Sequence, residues 1–265
     1  MEKVLGPKAA LRYVVERMEQ YPQWLEIQWN NSWNSFGNDL ARYRVQAANA
    51  GRDVRDLEPR VLALAIRELK TDLRTGEGRN RDIYNRDYGN SAYFWSEKVD
   101  DFAQAAEEVL AEDTRSGRLA QHVARYFWSG LHRYSRAIEI LLIARRDGLL
   151  EESAQVELAG WLQDRSRYAE MIAIVEPLVK ARPDVMNYRT LLMAAYARSE
   201  RLQQLAELID ETDAHFHQEG RWTEGNIRLF AEGCLNCGRF ERAAAYYDEA
   251  IALHQRANPG SGLND

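Results

Sequence analysis

Residues 230–250 read FAEGCLNCGRFERAAAYYDEA. Phe230, Ala231 and Cys234 recur at the step of one helix face, and beyond Gly238 the residues Phe240, Ala243, Tyr247 and Ala250 resume it at steps of three, four and three. A glycine between two such stripes supplies the left-handed residue that ends one helix and lets the chain reverse. The stretch is a helical hairpin, and a lone hairpin has no partner for its apolar faces, so neighbours must stack on it.

Those neighbours are visible at fixed spacing. Tyr134, Tyr168 and Leu202 stand 34 residues apart, and Phe240 follows after 38. The same steps relate Trp128, Leu162, Tyr196 and Cys234, then Ala124, Leu158, Leu192 and Phe230 on the first helix. On the second helix they relate Ala137, Met171, Leu205 and Ala243, then Leu141, Val175, Ile209 and Tyr247, then Ala144, Leu178, Thr212 and Ala250. The four extra residues fall within Ala214 to Trp222. Columns that agree on the period and on the insertion mark an internal repeat of two antiparallel helices.

The segment Phe230, Ala231, Cys234, Gly238, Phe240, Ala243, Tyr247 and Ala250 resembles a tetratricopeptide repeat (TPR), and the resemblance extends over residues 118–257. In the earlier copies His132, Ser166 and Glu200 replace the turn glycine, Arg125 replaces the small residue of the first helix, and Pro183 matches the terminal proline of the second copy. A weaker copy precedes them, since Phe102, Ala105 and Val109 repeat the spacing of Tyr134, Ala137 and Leu141 at an offset of 32. The resemblance implies an all-α fold, a right-handed superhelical stack of antiparallel helix pairs behind an N-terminal helical block. It also implies a concave groove, lined by the first helices, that takes a protein or peptide ligand.

Further out, Ala9 to Gln20 is amphipathic and stops before Pro22. Leu25, Trp29, Trp33, Phe36, Leu40, Tyr43 and Ala47 form a second stripe, and Leu57 to Leu73 a third that stops near Gly76. The organisation expected is a helical block at 1–76, a Gly- and Asn-rich linker at 77–91, the solenoid at 92–257 and a flexible tail at 258–265. Of 265 residues, 45% are hydrophobic and 29% charged, enough apolar material for a core. A formal charge of −6 withholds the basic surplus that nucleic acid or an anionic membrane favours, so neither is expected as a partner. The strongest apolar run, Ile138 to Ala144, contains Glu139 and is too short to span a bilayer. Two cysteines make no disulfide framework and residues 1–20 form no signal-peptide core, so a cytoplasmic location is expected.

Chemistry-bearing motifs are few. Cys234 and Cys237 form a Cys-x-x-Cys with His215 and His217 upstream, a donor set suited to zinc. In the repeat, however, the histidines stand at the opposite end of the hairpin from Cys237, about 15 Å away along a first helix of about ten residues. No metal and no cofactor are expected. Glycines at 76, 78 and 89 lack the Gly-Lys-Ser/Thr of a phosphate loop, and no nucleophile elbow or zinc-protease motif occurs, so no enzyme is expected.

Counting from the buried columns places His122 and Tyr126, Gly160 and Gln163, Asn187 and Arg198, and Arg228 and Asn236 in the groove, with Gly160 leaving a dent. The family's chaperone-tail binders use lysines in this groove, and none stands at the corresponding places, which weighs against an acidic chain terminus as ligand. The function expected is a protein-interaction scaffold. Two other layouts fit the same sequence: a peptide sensor resembling the bacterial Rap type, and the repeat part of a larger enzyme or effector. The second is favoured by a last unit without a polar capping helix. That unit, with Tyr246, Ile251, Leu253, Leu229 and Leu235 offering apolar surface, is also expected either to self-associate or to fray first, over residues 224–257.

Overall fold

The structure, a computed structural model, describes residues 7–20, 57–76, 99–218 and 221–258. The second N-terminal stripe, the linker at 77–91, Trp29, Trp33 and Trp95, and all but the first residue of the tail lie outside the described residues. Every regular element among those described is helical. In order they are α1 (Pro7–Gln20), α2 (Glu58–Thr75), α3 (Val99–Glu112), α4 (Gly117–Arg125), α5 (Tyr134–Arg146), α6 (Glu152–Asp164), α7 (Tyr168–Ala181), α8 (Met186–Arg198), α9 (Leu202–Gln218), α10 (Glu224–Asn236) and α11 (Phe240–Ala257). The chain falls into two compact units, Met1–Leu150 and Glu151–Asp265.

Local chemistry sets the helix ends. Pro59 opens α2 where its missing N–H costs nothing, and Gly76 closes it at φ 57°. Ser116 Oγ accepts from the Leu119 amide at 3.1 Å to start α4, and Thr223 Oγ1 from the Asn226 amide at 3.3 Å to start α10. The turn inside each of the four hairpins carries a residue of positive φ at the same place. His132, Ser166, Glu200 and Gly238 take φ of 53°, 58°, 59° and 73°. The next residue is an arginine each time, and the amides of Arg167, Arg201 and Arg239 reach back five residues to the carbonyls of Leu162, Tyr196 and Cys234 at 2.8, 2.9 and 2.8 Å. This is the six-to-one bond of a Schellman turn, and it places Tyr168, Leu202 and Phe240 as the first residues of α7, α9 and α11.

Most of the repeat columns form the core, while the column of Tyr134, Tyr168, Leu202 and Phe240 does not, Leu202 and Phe240 being 59 and 66% exposed. Ala137, Met171, Leu205 and Ala243 are 0, 0, 1 and 1% exposed, and Leu162, Tyr196 and Cys234 are also buried. In the first unit α2 lies against α3 and α4, and α4 against α5. Phe102, Ala105 and Val109 of α3 are buried as the weaker copy requires. In the second unit α8 packs against α7, α9 and α10, and α10 pairs with α11. The four inserted residues lengthen α9 to 17 residues, against 13 in α5 and 14 in α7, an added turn of helix.

One part of the sequence reading needs correction. The first helix of the first confident copy ends in a π-helical turn, Tyr126–Gly130, and there the Arg133 amide bonds the Phe127 carbonyl six residues back. The extra residue slides everything upstream by one position, so Phe127, not Trp128, is the equivalent of Leu162. Phe127 is 1% exposed while Trp128 is half-buried. Val123 and Ala124 then match Leu158 and Ala159, and the small residue that Arg125 seemed to replace is present as Ala124. Tyr126 matches the buried Trp161. Its ring lies across Gly130, where a Cβ would come within 2.9 Å of it.

Two substitutions test this core by chemical denaturation. Tyr126→Ala removes a ring that is 2% exposed and is expected to cost about 3–5 kcal/mol, a loss typical of buried aromatics. Ala243→Leu overpacks the α10–α11 hairpin and is expected to cost about 1–3 kcal/mol. An unchanged midpoint for Tyr126→Ala contradicts the one-residue slide.

Candidate functional site

The sequence places candidate contact residues on the first helices, which in the second unit are α6, α8 and α10. Gln163, Asn187, Arg198, Arg228 and Asn236 are exposed there, as the sequence reading placed them. Their side chains make no hydrogen bond or ion pair with the described residues. Most other arginines of the unit are engaged: Arg167 with Glu170, Arg182 with Glu152, Arg221 with Asp184 and Arg242 with Asp210.

The five residues do not share one register. Asn187 and Arg198 are eleven residues apart on α8, which at about 100° per residue returns them to one face. Arg198 and Asn236 are equivalent positions one repeat apart. Arg228 is instead equivalent to Thr190, whose methyl lies where a Cβ at Gly233 would fall 2.9 Å away. That register faces the next first helix, so Arg228 projects from the far side of α10. Gly160 is half-buried and a Cβ there would meet nothing within 4 Å.

His122 and Tyr126 are not groove residues. His122 is 7% exposed and Tyr126 2%: the π turn rotates Tyr126 into the interior, and His122 is covered by the end of α2, beside Leu73 and Gly76. Burial pushes the Tyr126 phenol well above the ordinary tyrosine range and holds His122 below the ordinary histidine value.

Two polar groupings were not legible as such. Arg189, 5% exposed, donates from Nε to the Pro183 carbonyl at 2.8 Å and from a terminal nitrogen to Thr212 Oγ1 at 3.1 Å. Thr212 in turn donates to the Leu208 carbonyl, so a polar residue in an apolar column is satisfied. Asp184 receives Arg221 and, at 3.0 Å, His215 Nε2, and these partners hold its carboxyl below the usual range. The inserted turn therefore binds its histidines to acids. His217 lies 3.0 Å from Asp213 Oδ1 and its ring stacks on Trp222 at 4.2 Å.

Trp222 in turn sits edge-on to Phe230 and Tyr246 at 5.8 and 5.5 Å and donates from Nε1 to Glu249 at 2.7 Å. Tyr246 belongs to this cluster, half-buried, rather than to the exposed surface expected of it. Leu229, Leu235 and Ile251 are exposed, with Phe240 the most open at 66%. A cleft of about 420 Å³ opens between Ile209 of α9 and the first turn of α11 from Phe240 to Arg242.

Cys234 is buried and Cys237 half-buried. Desolvation pushes each thiol up to about 11, the opposite of what a nucleophile or a metal ligand needs. Among the described residues no three His, Cys, Asp or Glu side chains converge as a metal site, and no helix is long and apolar enough to cross a membrane.

No family model matches the chain, and no curated protein matches it. Two solved structures are similar. One is MamA MSR-1 C2, 21% identical over 67% of this chain and 98% of its own, with a TM-score of 0.41. The other, from Podospora anserina, is a putative kinesin light chain with nearly identical TPR-like repeats, 16% identical over 65% of this chain and 96% of its own, with a TM-score of 0.45. The fold is an all-α, TPR-like helical-repeat solenoid. Its warrant is the repeated hairpin turn and the buried columns of this chain.

The thiols offer a direct check. At pH 8 a thiol near 11 is thiolate to about one part in a thousand, against roughly a quarter for an ordinary cysteine. Alkylation of Cys234 and Cys237 in the native protein is expected to run at least about 100-fold slower than in the denatured chain. Equal rates contradict the burial described.

Proposed function

We propose that this protein is a non-catalytic interaction scaffold that holds a protein or peptide partner on the first helices of its second unit, with Asn187, Arg198 and Asn236 as one contact line. The observation that carries this reading is that Arg198 and Arg228, both exposed on first helices, have no side-chain hydrogen bond or ion pair among the described residues, while Arg167, Arg182, Arg221 and Arg242 of the same unit are engaged by acids. An exposed guanidinium with no internal partner keeps its planar fork for a carboxylate or carbonyl of a second molecule, and arginine is among the residues that dominate interface energetics. The flanking Gln163 adds a neutral donor and acceptor, and Gly160 and Ala194 leave room for an approaching side chain. The exposed Leu229, Leu235, Phe240 and Ile251 extend the surface along the last hairpin and are the place where a second molecule, of this chain or another, would gain apolar contact.

Capture from the native host, with the intact chain and an Arg198→Ala, Arg228→Ala, Asn236→Ala variant as baits, tests the proposal. These changes remove few internal contacts, so stability is expected to stay within about 0.5 kcal/mol. A partner held by the intact chain is expected to be lost from the variant. Retention of that partner by a stably folded variant moves the site away from these helices.

A further inference from the structure

His122 is a buried titratable side chain that the proposed interaction surface does not use, and it stands where two parts of the first unit meet. Its Nδ1 lies 3.2 Å from the Leu73 carbonyl in the last turn of α2. Its ring fills the space beside Gly76, the left-handed residue that ends α2, so closely that a Cβ there would fall 1.6 Å from Cε1 and 2.3 Å from Nε2. One turn earlier on α4, Arg118 reaches the Thr75 carbonyl at 3.4 Å. Two side chains of α4 thus hold the carbonyl end of α2, and the glycine exists at 76 because the imidazole occupies the room of a side chain.

We infer that His122 is a pH-sensitive clasp: neutral, it locks the end of α2 against α4, and protonated, it releases α2 from the first repeat hairpin. The neutral ring donates from Nδ1 to Leu73, so a second proton arrives at Nε2, the atom pressed against the cap of α2. The charged groups that bear on the ring are Arg118 and Arg125 of its own helix, both positive. From α2 it faces the Leu73 carbonyl and the Gly76 backbone, and of the carboxylates on α3, Glu112 is engaged by Arg74 and Glu108 by Lys70. Burial and then the two arginines oppose the charged form, with the Leu73 bond a partial offset.

The linkage has one sign. Histidine in the opened form titrates at the ordinary value near 6.5 and in the closed form below it, so the opened form binds more protons between the two. The closed form is therefore fully favoured above about 6.5 and loses stability as pH falls, with the opening equilibrium rising by up to about tenfold per pH unit until the closed form titrates as well.

Hydrogen exchange of the full chain, read by mass spectrometry at pH 7.5 and pH 5.0 with times rescaled for intrinsic exchange, tests the clasp. Protection of α2 is expected to fall several-fold at pH 5.0 while α6 to α8 keep theirs. His122→Gln, which retains a donor for Leu73 and cannot titrate, is expected to abolish that dependence. Unchanged protection of α2 in the natural chain, or an equal fall in the variant, overturns the proposal. Should the variant fail to fold, the imidazole resonance of His122 in the natural chain decides: titration below 6.5 supports the clasp, and titration at or above 6.5 overturns it.

Discussion

One left-handed residue per hairpin holds this architecture together. A helix that ends at a residue with positive φ can return its next amide to its own last turn, and that bond fixes the angle at which the following helix starts. Here the residue recurs at His132, Ser166, Glu200 and Gly238, and the amide of the arginine behind it bonds back into the preceding helix each time, five residues back in three turns and six in the first. Everything that makes the protein a repeat follows: second helices starting at equivalent residues, an alanine or another compact apolar residue facing the partner helix, and a buried face on the first helix that only a neighbour can cover. Glycine is the natural occupant, yet three of the four positions carry Cβ atoms. The bond, and the burial it enables, outweigh a backbone cost of about 1–2 kcal/mol at each.

The π turn at Tyr126–Gly130 shows what happens when that bond reaches back one residue further. The hairpin still closes, but the helix before the turn advances by about 100°, and a different set of side chains points inward. That single residue converts Tyr126 from an expected ligand contact into core. Within the same compact unit the His122 imidazole of α4 fills the space beside Gly76 at the end of α2.

Most of the fold was legible because 34-residue spacing is a physical signal. Ala137, Met171, Leu205 and Ala243 are buried where the period placed them, and the four-residue insertion became one helical turn without disturbing the columns around it. The π turn was illegible because periodicity counts residues and assumes that each advances the helix equally; Tyr-Phe-Trp-Ser-Gly carries no pattern that marks a widened turn. Exposure of Gln163, Asn187, Arg198, Arg228 and Asn236 was legible by elimination, since they avoid the core columns. Which of them face the same way was not. The sequence ties neither Thr190 to Gly233 nor Arg189 to Thr212, and those contacts decide which registers are spent inside the molecule. The aromatic cluster around Trp222 was missed for the same reason: its members come from α9, α10, α11 and the segment before α10, and only the fold brings them together.

The central claim is that one hairpin turn with a left-handed residue, repeated four times, organises the solenoid. The most direct measurement is the unfolding free energy of Ser166→Gly and Glu200→Gly beside that of Gly238→Ala. Relief of an L side chain from positive φ is expected to leave the two glycine variants as stable as the natural chain or more stable by up to about 1 kcal/mol, while Gly238→Ala, with open space for its methyl, loses about 1–2 kcal/mol to backbone strain alone. Glycine variants that are destabilised, with an alanine at 238 that is neutral, would contradict the account.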